Sequence, residues 1–379
     1  MNSDEQLRNF LIKTKPKTPI IILPNTHNFN TIPNHDILKP LTYPDYDTTT
    51  SSTNRIIYYY QTLNGLQDIL NEETTTVTHI HLASLHFGYN DDNSPYLHLN
   101  NTPPQDPKFD KVWEELAECK KKGIKIIFML GGAGGAFIQL FNNYDVFFDL
   151  WCKFLISKSD LIDGIDFDVE EEVGLNNILK LIRNTMNYFD TNPKWKDPTT
   201  GLSNFIIAMA PVSYSLEGND SGMGGFCYKE LYQHAEGQRI NYFNAQFYYG
   251  DFDLNHFTQC VDNGYPANKI VMGCIENQFK DWLEYYLIME KVKLAYPNCG
   301  GVFFWEYWQH PPKWEYNVWL AFHTASMVVP NEENIYSPDV KINGKLVFNK
   351  QVDTTSNDET QTTTIEGGVD SYSSRCVLM

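Results

Sequence analysis

The stretch Leu161-Ile162-Asp163-Gly164-Ile165-Asp166-Phe167-Asp168-Val169-Glu170 decides how the whole chain reads. From Gly164 onward large apolar residues alternate with carboxylates, the period of two expected of a β-strand. Ile165, Phe167 and Val169 then share one face, and Asp166, Asp168 and Glu170 share the other. Three carboxylates on one face repel one another and are costly to desolvate, so at least one is expected to hold a proton near neutral pH. A protonated carboxyl beside ionised ones is what general acid catalysis requires. A merely solvated acidic strand end fits less well, because the interleaved large apolar residues imply burial on one side. An EF-hand loop fails, since Glu171 stands where a Gly is needed. A two-metal nuclease can begin with a run such as Phe167-Asp168-Val169-Glu170, but the charge of the chain argues against it.

On either side of this segment a rhythm repeats. Short apolar, β-branched or aromatic runs fall near 55–60, 79–87, 124–130, 162–169, 205–211, 241–249, 270–275 and 301–306. Helical periodicity is clearest at 109–122, 139–158, 174–190, 278–296 and 314–327. Gly123, Gly164 and Gly301 lie at strand starts, where an αβ turn often needs a left-handed residue. Eight strands alternating with helices predict a (β/α)8 TIM barrel, with the acidic face at the C-terminal end of its strand, where active sites of that fold lie. A doubly wound open sheet is the alternative. It lacks support, because Gly132-Ala133-Gly134-Gly135-Ala136-Phe137 has Phe where a dinucleotide fingerprint needs its third Gly.

Of the 379 residues, 29 are Lys or Arg and 47 Asp or Glu, a formal charge of −18. Phosphate binding needs clustered cations, so nucleic acid is excluded as the expected partner and a neutral substrate is favoured. Residues 1–54 carry five cations and five anions, and residues 351–379 one against five, so −14 belongs to the stretch between. Seven cysteines, an odd number with no zinc-ligand spacing, read as ordinary thiols, and no metal or cofactor is expected. His79, His81 and His86 alternate along a predicted strand; without a carboxylate or Cys partner at matching spacing they read as buried or lining histidines.

The domain plan is an N-terminal extension (1–54), a barrel (55–328), a hairpin extension (329–350) and a disordered acidic tail (351–379). Within the extension only Ile20-Ile21-Ile22-Leu23 reads as a strand, and Asn343-Gly344 marks the turn of the hairpin. The tail is Thr- and Ser-rich and acidic. It closes on Cys376-Val377-Leu378-Met379, the pattern of a farnesylation signal on Cys376. The N-terminus has neither a basic start nor an apolar core. The expectation is an intracellular, cytoplasmic monomer, held weakly on a membrane face by one lipid chain.

The segment 163–170 resembles the signature of glycoside hydrolase family 18, the chitinases and their relatives: Asp-Gly-x-Asp-x-Asp-x-Glu on the fourth barrel strand. Four other stretches resemble the family's third, fifth, sixth and eighth strands. They are Leu130-Gly131-Gly132, Ala208-Met209-Ala210-Pro211, Gln246-Phe247-Tyr248 (as in the hevamine-type branch) and Gly300-Gly301-Val302-Phe303-Phe304-Trp305. The resemblance implies substrate-assisted, retaining hydrolysis of β-1,4-linked N-acetylglucosamine. Glu170 is then the acid, Asp168 orients the acetamide and Asp166 shares a proton with it. Tyr248 and Gln246 hold the substrate, and Trp305 forms the floor under the sugar. Of Trp305 and Trp308, one is expected in the core, and Trp305 is the better site candidate. Asp163 reads as structural. The same family holds endo-β-N-acetylglucosaminidases acting on N-glycan cores, and non-catalytic lectins that usually lose the Glu. The chain keeps Glu170.

Overall fold

Nine strands organise the described residues: β1 (Arg55–Tyr60), β2 (His79–Tyr89), β3 (Pro95–Leu99), β4 (Lys125–Gly131), β5 (Gly164–Asp168), β6 (Ile206–Met209), β7 (Tyr242–Gln246), β8 (Ile270–Ile275) and β9 (Gly301–Trp305). They come from a computed structural model that describes residues 54–279 and 282–327. The expected strand at 20–23, the hairpin, the tail and Cys376 lie outside the described residues. All strands but β3 run parallel, each paired to the next, and β1 pairs with both β2 (Ile57 opposite His79) and β9 (Ile56 opposite Val302). That double pairing closes the sheet into an eight-stranded barrel and removes the open-sheet alternative.

The eight apolar runs coincide with the eight barrel strands because each strand is buried on both faces. Ile57, Tyr59, Ala83, Met129, Ala208, Tyr242, Val271 and Phe303 pack inside the barrel. The alternate residues, such as Ile56, Tyr58, Tyr60, Phe128, Ile165, Phe167 and Phe304, pack in the outer core with the helices. Phe167 is wholly buried there, a burial that stabilises by about 2–3 kcal/mol. The helix Leu175–Thr185 meets that layer with Ile178, Leu179, Leu181 and Ile182, one apolar stripe at helical spacing. The helical pattern at 139–158 resolves into two helices, Ala136–Asn142 and Tyr144–Ser157, broken where Asn143 leaves helical geometry (φ −145°, ψ 65°).

Three sequence expectations change. β2 continues past residue 87 and turns at 90–94 into β3, which pairs antiparallel with it (Phe87 opposite Leu97). Asp92 shapes the turn by accepting from the Ser94 N–H at 2.9 Å. Gly301 is left-handed (φ +122°), but Gly164 is not; Gly164 is there because a Cβ would meet the Ile206 carbonyl oxygen at 2.3 Å. Trp308 is not core, being 62% exposed.

Candidate active site

The C-terminal strand ends open into a cleft of about 1000 Å³. Asp168 and Glu170 lie on its floor, with Gln246, Tyr248 and Trp305 around them. β5 ends at Asp168, so Glu170 lies just past the strand and is half-buried, whereas Asp166 and Asp168 are buried inside. The close approach of the 131–132 turn to this strand is fixed by glycine. Gly131 is left-handed (φ +106°), and a Cβ on it would meet the Asp168 carbonyl oxygen at 2.2 Å. The neighbouring Gly132 N–H donates to that same oxygen at 2.9 Å.

The acidic stack has a polar footing. Asp166 Oδ2 accepts from the Tyr59 hydroxyl (2.5 Å) and the Asn244 amide (3.1 Å), and His81 Nδ1 is 2.8 Å away. Asp168 Oδ1 accepts weakly from the Gln246 amide at 3.4 Å, and the same amide donates to the Ala210 carbonyl at 2.9 Å. Burial, then the charges of Glu170, Asp166 and Glu171, hold the Asp168 carboxyl well above the usual carboxylate range. Burial, with Glu171 beside it, pushes Glu170 up to about 7. That is the value wanted in a general acid working near neutrality. Glu171 faces away. It accepts from the backbone N–H groups of Gly135 (2.6 Å) and Phe137 (3.3 Å) and so pins the 132–136 loop against the site.

The aromatic members come from other strand ends. Tyr248 is buried, and burial with the nearby Asp168 charge raises its hydroxyl well above 10, so it remains a donor at any working pH. The Trp305 ring lies 5.1 Å from the Tyr59 ring and is half-buried at the cleft floor. The cleft wall is polar. Asn100 donates to the Gln61 carbonyl (3.0 Å) and accepts from the Ser84 N–H (3.2 Å), tying the β3 end to the end of β1 and the middle of β2. Glu306 is buried and accepts from the Gln61 and Thr62 N–H groups, both at 3.2 Å, and from the Thr62 hydroxyl. Asp163 lies at the opposite end of the strand, where it accepts from the Ile126 N–H (2.9 Å) and pairs with Lys120 (3.1 Å).

The site thus gathers Asp166, Asp168, Glu170, Gln246, Tyr248 and Trp305 around one cleft and its floor. Sequence reasoning missed Tyr59, Asn244 and Glu306. Asn244 precedes Gln246 by two residues, so strand alternation alone places both on the inner face. Tyr59 sits in a run of three tyrosines, which hides the phase of the strand.

No family model matches the chain. An acidic endochitinase from Phaseolus angularis is 26% identical over 150 residues, 36% of this chain and 49% of that protein. The chain therefore spans about half the length of this curated relative. A fungal endo-β-N-acetylglucosaminidase of glycosyl hydrolase family 18 superposes with a TM-score of 0.58 at 25% identity, over 72% of this chain and 97% of that one. The chitinase ChiC from Aspergillus fumigatus gives a TM-score of 0.58 at 27% identity, over 73% and 100%. The closed barrel with an acidic strand end under a polar cleft is similar to that of these glycoside hydrolases. Within that class the chain resembles family 18.

Proposed function

We propose that the protein hydrolyses β-1,4 linkages between N-acetylglucosamine units, in chitin or chito-oligosaccharides, by substrate-assisted retention. The observation that carries the reading is Glu170, half-buried in the cleft beside Asp168, with its carboxyl raised to about 7. Glu170 gives its proton to the leaving glycosidic oxygen and later takes one from water. The substrate's own acetamide oxygen attacks the anomeric carbon. Asp168 accepts from the acetamide N–H and opposes the positive charge that develops. Tyr248 donates to the acetamide oxygen, an interaction that strengthens in the transition state. Trp305 packs under the sugar's C–H face. Cleavage within a chain, rather than from its end, is part of this proposal.

A second reading is cleavage of N-glycan cores, favoured by the likeness to the fungal endo-β-N-acetylglucosaminidase. Incubation with chitin oligomers and with a high-mannose glycopeptide separates the two by the product released. Binding of both without release leaves a lectin. Glu170→Gln is expected to keep binding and lose turnover. Appreciable cleavage of cellulose oligomers, which lack the acetamide, would refute substrate assistance. Farnesylation of Cys376 is a separate proposal, resting on residues 376–379; in a prenylating host it predicts a farnesyl mass on the C-terminal peptide.

A further inference from the structure

Of the three histidines on β2, His86 lines the cleft, His79 lies at the lower end of the barrel, and His81 sits beneath the acidic stack with no part in the chemistry above. His81 and Asp166 are both fully enclosed, 0% exposed. His81 Nδ1 lies 2.8 Å from Asp166 Oδ2, and its Nε2 lies 3.2 Å from the Tyr242 hydroxyl. With Tyr59 and Asn244, three donors converge on that one oxygen. Asp166 Oδ1 is equally buried and has no donor among the described residues. A buried acceptor normally has a partner. The next carboxyl on the same strand face is Asp168, which is near enough to feel the Asp166 charge.

The tautomer follows from these contacts. Oδ2 already accepts from the Tyr59 hydroxyl and the Asn244 amide, so it is an acceptor and Nδ1 carries the hydrogen. Neutral imidazole then has its lone pair on Nε2, and the Tyr242 hydroxyl donates to it. The groups facing His81 are Asp166 from β5, Tyr59 from β1, Tyr242 and Asn244 from β7, and His79 on its own strand. Beyond His79, at the lower end, stand Arg55 and Lys125. From β4, Met129 lies in the interior.

We propose that His81 is a positioning residue acting through Asp166: in the protein without substrate its Nδ1–H holds Asp166 as the carboxylate, so the proton shared by the two aspartates rests on Asp168 until the acetamide is engaged. The upward displacement of Asp168 agrees with this placement. The consequence reaches Glu170. A neutral Asp168 adds no charge beside the acid, whereas an ionised one repels it and raises its titration further.

The experiment compares the native protein with His81→Leu, which removes the donor, and His81→Asn, whose amide restores a donor near the Nδ1 position. Aspartate-labelled protein is titrated by carbon NMR of the carboxyls. In His81→Leu the proton passes to Asp166, and Asp168 titrates lower by about one pH unit or more, the scale of one charge-assisted hydrogen bond. His81→Asn stays close to native. An Asp168 titration unchanged in a folded His81→Leu overturns the proposal. If that variant does not fold, imidazole nitrogen NMR of the native protein decides: a neutral ring protonated on Nε2 overturns it, and one protonated on Nδ1 supports it. The kinetic consequence rests on the proposed function. The basic limb of the rate profile moves to higher pH in His81→Leu by about half a pH unit. A native protein without turnover would refute that function while leaving the NMR test of His81 intact.

Discussion

Replacing Glu170 by Gln is expected to abolish turnover and, above pH 7, to make the protein more stable. In the folded chain Glu170 titrates at about 7 against an ordinary 4.5, so between those values the native state binds more protons than the unfolded one. Stability therefore falls as pH rises from about 4.5 to 7 and is flat on either side. A displacement of about 2.5 pH units corresponds to roughly 3.4 kcal/mol at 1.36 kcal/mol each, which solvent at the cleft mouth trims to about 2–3 kcal/mol. Gln is neutral in both states and loses nothing over this range. Asp168 is also freed from the repulsion of Glu170, which adds to the difference. With an unfolding entropy of about 2.1 cal/mol/K per residue over roughly 270 residues, 2–3 kcal/mol amounts to about 4–5 °C in Tm. Calorimetry of both proteins from pH 4 to 8 should give equal Tm values at pH 4 and a gap that opens to its full size by pH 8. A gap that does not change with pH would refute the claim that Glu170 is held protonated by its surroundings.

Other outcomes follow from the same geometry. The native rate on chitin oligomers should fall as pH rises through about 7, since Glu170 must carry its proton to act as the acid; a rate still flat at pH 9 would contradict this. Tyr248→Phe should lower kcat about 10²-fold with KM little changed, because one donor to the developing charge is removed; a kcat within twofold of native would remove Tyr248 from the chemistry. Glu306→Ala leaves the Gln61 and Thr62 N–H groups and the Thr62 hydroxyl without their acceptor, and should cost about 2–4 kcal/mol in urea unfolding. A loss below about 0.5 kcal/mol would mean that the β1 end does not depend on this carboxylate.

The barrel was legible because strands buried on both faces leave continuous apolar runs, and eight such runs at regular spacing admit few architectures. β3 escaped notice because it forms by extending β2 beyond its apolar run, through the polar residues Asn90 to Ser94. The stack at 166, 168 and 170 was legible because a carboxylate at every second position of an apolar strand has no structural reason to be there. Its supports were harder to see. Tyr59, His81 and Asn244 reach Asp166 from three other strands, β1, β2 and β7, and what unites them is the register of the closed sheet. Trp308 was misjudged for the same reason. An aromatic cluster marks a place where rings gather, and only the fold says which of them water touches.

The three tyrosines of β1 carry one more consequence. Tyr58 donates to Glu315 (2.6 Å), Tyr59 to Asp166 (2.5 Å) and Tyr60 to Glu115 (3.4 Å), so three neighbouring hydroxyls serve three buried carboxylates on three separate elements. A slip of β1 by one residue turns every side chain to the opposite face. Another tyrosine would then enter the barrel, so two of the three acids would still meet a hydroxyl and only one would lose its donor. The repeated residue that blurs the strand's phase to a sequence reader therefore blurs it for the folding chain as well. The register is enforced at the edge of the run, where a slip brings Ile57 into the place of Tyr58 and leaves the buried Glu315 without its donor.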